Sequence, residues 1–176
     1  MAKSNKNGNN NIKVITAIAV FLLALIAAGT WWAYSYSTQM VRDELTAQKI
    51  FFPAKGSPAL PASEYPGLQQ YAGQQVDDGV KAKAYANEYI GNHLKKIADG
   101  KTYAEVSSEA MKNPKDEKLA GQKQQLFMGE TLRGLLLNAY AFWTIGKLLQ
   151  VVSVVSIIGA VILGIVAGLS YKMPKK

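Results

Sequence analysis

The sequence predicts an all-α membrane protein: two transmembrane helices flanking a small extracytoplasmic helical domain. Three observations predict it. An uncharged apolar run lies toward each end of the 176-residue chain, the stretch between them has helical rather than strand texture, and the basic excess sits in the two tails. An overall hydrophobic fraction of 49% hides this pattern, because the apolar residues are concentrated in the two runs.

The first run, residues 14–36, reads VITAIAVFLLALIAAGTWWAYSY and carries no charge and no proline. As a helix it covers about 34 Å, enough for a hydrocarbon core of about 30 Å. Trp31 and Trp32, with Tyr34 and Tyr36, place amphipathic rings at one end, as membrane-interface anchors do. Lys3, Lys6 and Lys13 with Ala27-Ala28-Gly29 also resemble a cleavable signal, but the run is longer than a signal's apolar region and favours an uncleaved anchor. The second span is expected over residues 147–171. Its uncharged stretch is LLQVVSVVSIIGAVILGIVAGL, with Trp143 and Lys147 as anchors at its start. Ala160, Gly164 and Gly168 stand four apart, a small-residue ridge that admits a close helix neighbour in lipid: Ala24 and Ala28 offer a matching surface for internal pairing, and homodimerisation or docking to a larger membrane complex is the other reading.

The tails, 1–13 and 172–176, hold lysines and no acids, so both termini are expected on the cytoplasmic side of a plasma membrane. That puts residues 37–146 outside the cytoplasm. This segment holds 13 basic and 12 acidic residues, so the net +8 of the chain is mostly topological and predicts no nucleic-acid partner.

Within 37–146, residues 37–49 continue the first helix. Residues 50–67 hold four of the six prolines and form an irregular strap, with Phe51 and Phe52 tacking it down or meeting a partner. Leu68, Ala72, Val76, Gly79, Ala82, Ala86, Ile90, Leu94 and Ile97 recur at helical spacing and predict one long helix over 68–98. The small residues in its middle admit a close neighbour. Asp99-Gly100 stops it, Thr102 with Glu105 forms a capping box, and Asn113-Pro114 ends the short helix that follows. From Lys115 the chain is helical into the second span.

Chemistry is sparsely signposted. No cysteine and one histidine exclude disulfides, thiolate zinc sites and multi-histidine zinc centres. No catalytic residue, cofactor or metal site is expected. His93, with Tyr85 and Tyr89 one turn apart, is a ligand or haem edge in its functional reading and a packed helix face in its bland one. Ser57, Ser107 and Ser108 leave a Ser–Lys hydrolase open without pointing to it. Glu130 and Arg133, three apart, read as a local ion pair, or as a buried charge that receives a partner.

The stretches LTAQKIFFPAKGSPAL, QQYAGQQVDDGVKAKAYANEYI, GKTYAEVSSEA and LFMGETLRGLLLNAYAFWTIG resemble a family of uncharacterised actinobacterial two-span membrane proteins. The resemblance covers residues 45–146 and the spans in type. It implies a cell-envelope location and carries over no functional residue. The expected role is a non-enzymatic interaction or accessory protein whose outer domain binds a protein or lipid partner. Its expected partners are the lipid bilayer and a membrane protein or a second copy. Contact is expected at Phe51, Phe52, Tyr85, Tyr89 and His93, with helix packing at Ala160, Gly164 and Gly168.

Overall fold

The computed structural model describes residues 2–172, with side chains described from 11 to 169. Lys175 and Lys176, and the side chains of Lys3, Lys6 and Lys172, lie outside the described residues. The chain is helical: α1 (Ala2–Gln48), α2 (Gly79–Ala84), a π-helical turn (Tyr85–Ile90), α3 (Gly91–Ile97), α4 (Tyr103–Lys112) and α5 (Glu117–Lys172). Among the described residues there is no strand, only an isolated antiparallel bridge between Phe51 and Gln75. α1 and α5 each contain a stretch long and apolar enough to cross a membrane.

The chain forms two units. The first comprises Met1–Ser37 and Ile145–Lys176. Here the two long helices run antiparallel, since Lys147 lies over the Tyr34 ring, Ser153 meets Ala27 and Gly159 meets Leu23. On α1, Lys13, Thr16, Val20, Leu23, Ala27, Thr30, Tyr34 and Ser37 are withdrawn from the surface at alternating steps of three and four, with Ala19 and Ala33 beside them. On α5, Gly146, Leu149, Ser153, Ser156, Ala160, Leu163 and Ala167 follow the same alternation, with Gln150 and Gly159 beside them. A mean step of 3.5 is the repeat of left-handed helix pairing. Ser153 is fully buried and its hydroxyl donates to the Ala27 carbonyl at 2.8 Å. A small polar side chain thus brings the backbones close and satisfies its own hydroxyl, as interhelical contacts in lipid require.

The small-residue ridge read from the sequence is divided between the seam and the surface. Ala160 lies on the seam, but Gly164 and Gly168 are exposed, and Ala27 replaces the exposed Ala24 and Ala28. Steps of four rotate about 40° per step on an α-helix, so a ridge at 160, 164 and 168 leaves a seam of mean step 3.5.

The second unit comprises Thr38–Thr144. Its core includes Val41 and Leu45 from α1, Phe52, Leu60 and Leu68 from the connection, Ala82, Ala86, Ile90 and Leu94 from the middle helices, and Leu126 and Leu136 from α5. The stripe at 82, 86, 90 and 94 is as read from the sequence. The single helix over 68–98 is not. Pro66–Tyr71 is a 3₁₀ turn, Gly73 has φ +73°, and α2 begins only at Gly79. Two local signals stop helix propagation before 79. Gly73 takes the left-handed backbone that glycine adopts without steric cost. Asp78 is an extended N-cap whose side chain accepts from the Lys81 N–H at 2.9 Å.

The freed backbone around Gly73 is used by the strap. Phe52 N–H donates to Gln74 O, Gly73 N–H to Pro53 O, and Val76 N–H to Ile50 O, at 2.9–3.1 Å. These three bonds dock the proline-rich segment on the helical core and fix Phe52 inward. α4 carries the expected capping box at Thr102 and Glu105, and ends at Asn113.

Asp77, beside the α2 cap, pairs with Lys81 and lies 3.9 Å from Arg42. The Lys81 hydrogen bond, with the charges of Lys81 and Arg42, holds its carboxyl below the usual value of 3.8. A depressed carboxylate stabilises the fold above its unfolded pKa and loses that contribution as pH falls through the folded one. Wild type is therefore expected to lose more stability than Asp77→Asn between about pH 5 and pH 3, by about 0.2–1 kcal/mol for a partly exposed pair. Thermal unfolding of both proteins in the same detergent across that range checks it, and parallel pH curves would refute it.

Candidate functional site

The aromatic residues singled out in the sequence separate into two environments. Phe52 is 2% exposed and packs between Tyr71 and Tyr85, with ring centroids 5.3 and 5.1 Å away. Tyr85 packs on Tyr89 at 4.9 Å, and Tyr89 on Tyr65 at 5.7 Å. Burial, and then Tyr89, raises the Tyr85 phenol above its ordinary pKa, and burial, then Tyr65, does the same at Tyr89. Both phenols therefore stay neutral at physiological pH. These rings form the wall that holds the strap. Phe51 points the other way and is 53% exposed.

His93 is exposed. Residues 85–90 form a π-helical turn, so the Tyr85–Tyr89–His93 series does not follow one α-helical face. Ser57 Oγ is buried without a hydrogen-bond partner, and neither Ser107 nor Ser108 is paired with a lysine. Among the described residues no group of three His, Cys, Asp or Glu side chains could hold a metal ion.

Trp31 and Trp32 are exposed on α1, and Lys147 Nζ lies 5.2 Å above Tyr34 and 3.2 Å from Gln150 Oε1. Trp143 belongs to the second unit: it is half-buried against the core, touches Gly79, and has the Arg42 guanidinium 5.8 Å over its ring. The packing partner, rather than an apolar sequence neighbourhood, decides which tryptophan faces outward.

Two of the concavities in the second unit bear on function. The first is a groove of about 390 Å³ between α1 and α5, lined by Met40, Val41, Leu45, Leu135, Leu136, Ala139 and Phe142, with Glu44, Gln48 and Asn138 as its polar members. Its walls include outward-facing apolar side chains: Leu135 is 64% exposed and Phe142 45%. The sequence signal was available. Met128, Leu135 and Phe142 recur every seven residues on a face of α5 other than the one carrying Leu126 and Leu136, so α5 has more apolar residues than its own core uses.

The second concavity sits beside the π-helical turn and mixes charged side chains with apolar ones such as Leu94 and Leu126. The Ala86 carbonyl accepts from Gly91 N–H, five residues on, and from Arg133 Nε at 3.1 Å. Arg133 Nη2 donates to Asn87 Oδ1 at 3.3 Å, and Nη1 donates to both Glu130 oxygens at 2.8–2.9 Å. The local ion pair expected at Glu130 and Arg133 exists, and the same guanidinium also ties α5 to the π turn. Such turns expose a carbonyl to a second donor and are frequent at functional sites. A pairwise reading of Glu130 and Arg133 could not reveal this, because Ala86 is 47 residues away in sequence.

No family model matches the chain, and no curated protein or solved structure is significantly similar to it. The class defined by fold and site is therefore an all-helical protein with two helices long and apolar enough to cross a membrane.

Proposed function

We propose that this chain is a two-span integral membrane protein of the cell envelope that acts as a non-enzymatic accessory protein. In this reading both termini are cytoplasmic, and the unit Thr38–Thr144 is extracytoplasmic and docks an apolar helix of a membrane-protein partner. The observation that carries it is the groove between α1 and α5. Its lining is mostly apolar, Met40, Leu135 and Phe142 in it are exposed, and it belongs to the same two helices that carry the span-length stretches. Met40 follows Tyr36 by four residues and Phe142 precedes Lys147 by five, so the groove starts in sequence close to both spans. In this reading the occupant is an uncharged helix of a partner that is itself anchored in the membrane. Exposed apolar surface on a folded unit supports an interaction site, and a groove of this kind takes the apolar face of a docking helix.

The hydrolase and haem readings have no comparable support. They require a Ser–Lys pair, or an imidazole in a pocket, and Ser57 and His93 are placed otherwise.

The test is a photo-crosslinking amino acid at position 135 in the full-length chain in its native membrane. The expected product is a stoichiometric adduct with one membrane protein. Leu135→Glu, read by co-purification, is expected to cut recovery of that protein at least about tenfold, the scale of losing a central apolar anchor. Adducts only with lipid, or only with a second copy of the chain, would overturn the reading. So would unchanged recovery with Leu135→Glu.

A further inference from the structure

The groove leaves the pocket beside the π-helical turn, where charged side chains stand among Leu94, Tyr103 and Leu126, without a role. That pocket encloses about 570 Å³, and its charged and polar walls are Asn87, Lys95, Lys101, Thr102, Glu130 and Arg133. They come from the π turn, α3, the start of α4 and α5. Three are cations and one is an acid. Outside the lining, Glu109 accepts from Lys101 at 2.8 Å, and Asp99 and Glu105 lie close enough to act on Lys101.

Arg133 is held from two sides that do not involve its carboxylate. Nε is fixed by the Ala86 carbonyl and Nη2 by Asn87. Its guanidinium therefore stays in place when Glu130, 46% exposed in its side chain, swings away. Glu130 meanwhile marks where an anionic oxygen pair sits on Nη1. A monocarboxylate arriving there would only replace like with like. A phosphate monoester carries about −1.5 to −2 charge and three acceptor oxygens, so it gains from Lys95 as well. Guanidinium groups and lysines are the side chains that recognise such a group.

We propose that this pocket binds the phosphate of a phosphomonoester, with Arg133 and Lys95 as its cationic contacts and Glu130 as the internal carboxylate that the ligand displaces. The ester is soluble, or it is the headgroup of a phosphatidic-acid-type lipid. The chemistry at Arg133 is the same for both.

The experiment is calorimetric titration of the full-length chain, in neutral-detergent micelles, with glycerol 3-phosphate. Saturable one-to-one binding is expected. Glu130→Gln removes the competing carboxylate and tightens binding several-fold. Arg133→Lys weakens it about tenfold or more, as loss of a charged hydrogen bond does. Lys95→Gln, at an exposed position, weakens it about two- to fivefold. Absence of saturable binding in both wild type and Glu130→Gln overturns the proposal. A dissociation constant that Lys95→Gln and Arg133→Lys leave within twofold overturns it too. In nanodiscs, loss of glycerol phosphate binding when phosphatidic acid is added to phosphatidylcholine assigns the lipid source, and undiminished binding assigns the soluble one. None of these readouts uses Leu135, so failure here and failure of the groove reading are distinguishable.

Discussion

Replacing Phe52 with Ala is expected to destabilise the second unit by about 3–5 kcal/mol, whereas Phe51→Ala changes stability by less than about 0.5 kcal/mol. The two residues are adjacent and identical in chemistry. They differ because Phe52 N–H bonds to Gln74 O and Val76 N–H bonds to Ile50 O, which turns Phe52 onto Tyr71 and Tyr85 and leaves Phe51 in solvent. Removing the inner ring leaves a cavity between two tyrosines that other interactions hold in place, so the site cannot collapse fully. The strap would then detach locally, and protease sensitivity within residues 50–67 would rise with the loss of stability. Chemical unfolding in one detergent, with limited proteolysis, measures both. Equal effects of the two substitutions would show that the strap is not anchored as described.

The second large effect is expected at the two closest helix approaches. A methyl group on Gly79 would overlap the Trp143 side chain, and one on Gly129 would overlap Leu94. Gly79→Val and Gly129→Val are each expected to cost about 1–3 kcal/mol through overpacking. The helical-propensity gain on replacing glycine, up to about 1 kcal/mol, acts against this and is the smaller quantity. Gly121→Ala and Gly134→Ala, whose added methyl groups meet no atom within 4 Å, serve as controls and are expected to be neutral or mildly stabilising. If all four substitutions behaved alike, the close approaches at Trp143 and Leu94 would not exist in solution. Trp143 fluorescence provides a local readout, since displacement from Gly79 moves the indole toward water.

A good deal of this was legible in the linear chain. Uncharged runs of more than 20 residues identify two span-length helices, because hydrocarbon thickness and helical rise leave little choice. The capping box at Thr102 and Glu105, the stop at Asp99-Gly100 and the inward stripe Ala82, Ala86, Ile90 and Leu94 were also readable. Each depends on residues within one or two turns of each other. The small middle of that stripe correctly signalled a close neighbour, although not that the neighbour is Trp143.

What the chain did not disclose depends on partners far away in sequence. The helix expected over 68–98 begins at Gly79, because residues 73–76 bond to the strap at 50–53 instead of to their own helix. The choice between Phe51 and Phe52 followed from the same pairing. Which small residues line the hairpin was set by the mean step of 3.5 that two wrapped helices share, and this selected Ser153, Ser156 and Ala27 over Gly164 and Gly168. Arg133 looked like half of a surface ion pair until Ala86 and Asn87 were placed beside it. Local sequence therefore determined where helices form, where they stop and which stretches are apolar enough for a bilayer. The tertiary structure alone decided which faces meet, because that depends on the sum of contacts between elements dozens of residues apart rather than on the preference of any one of them.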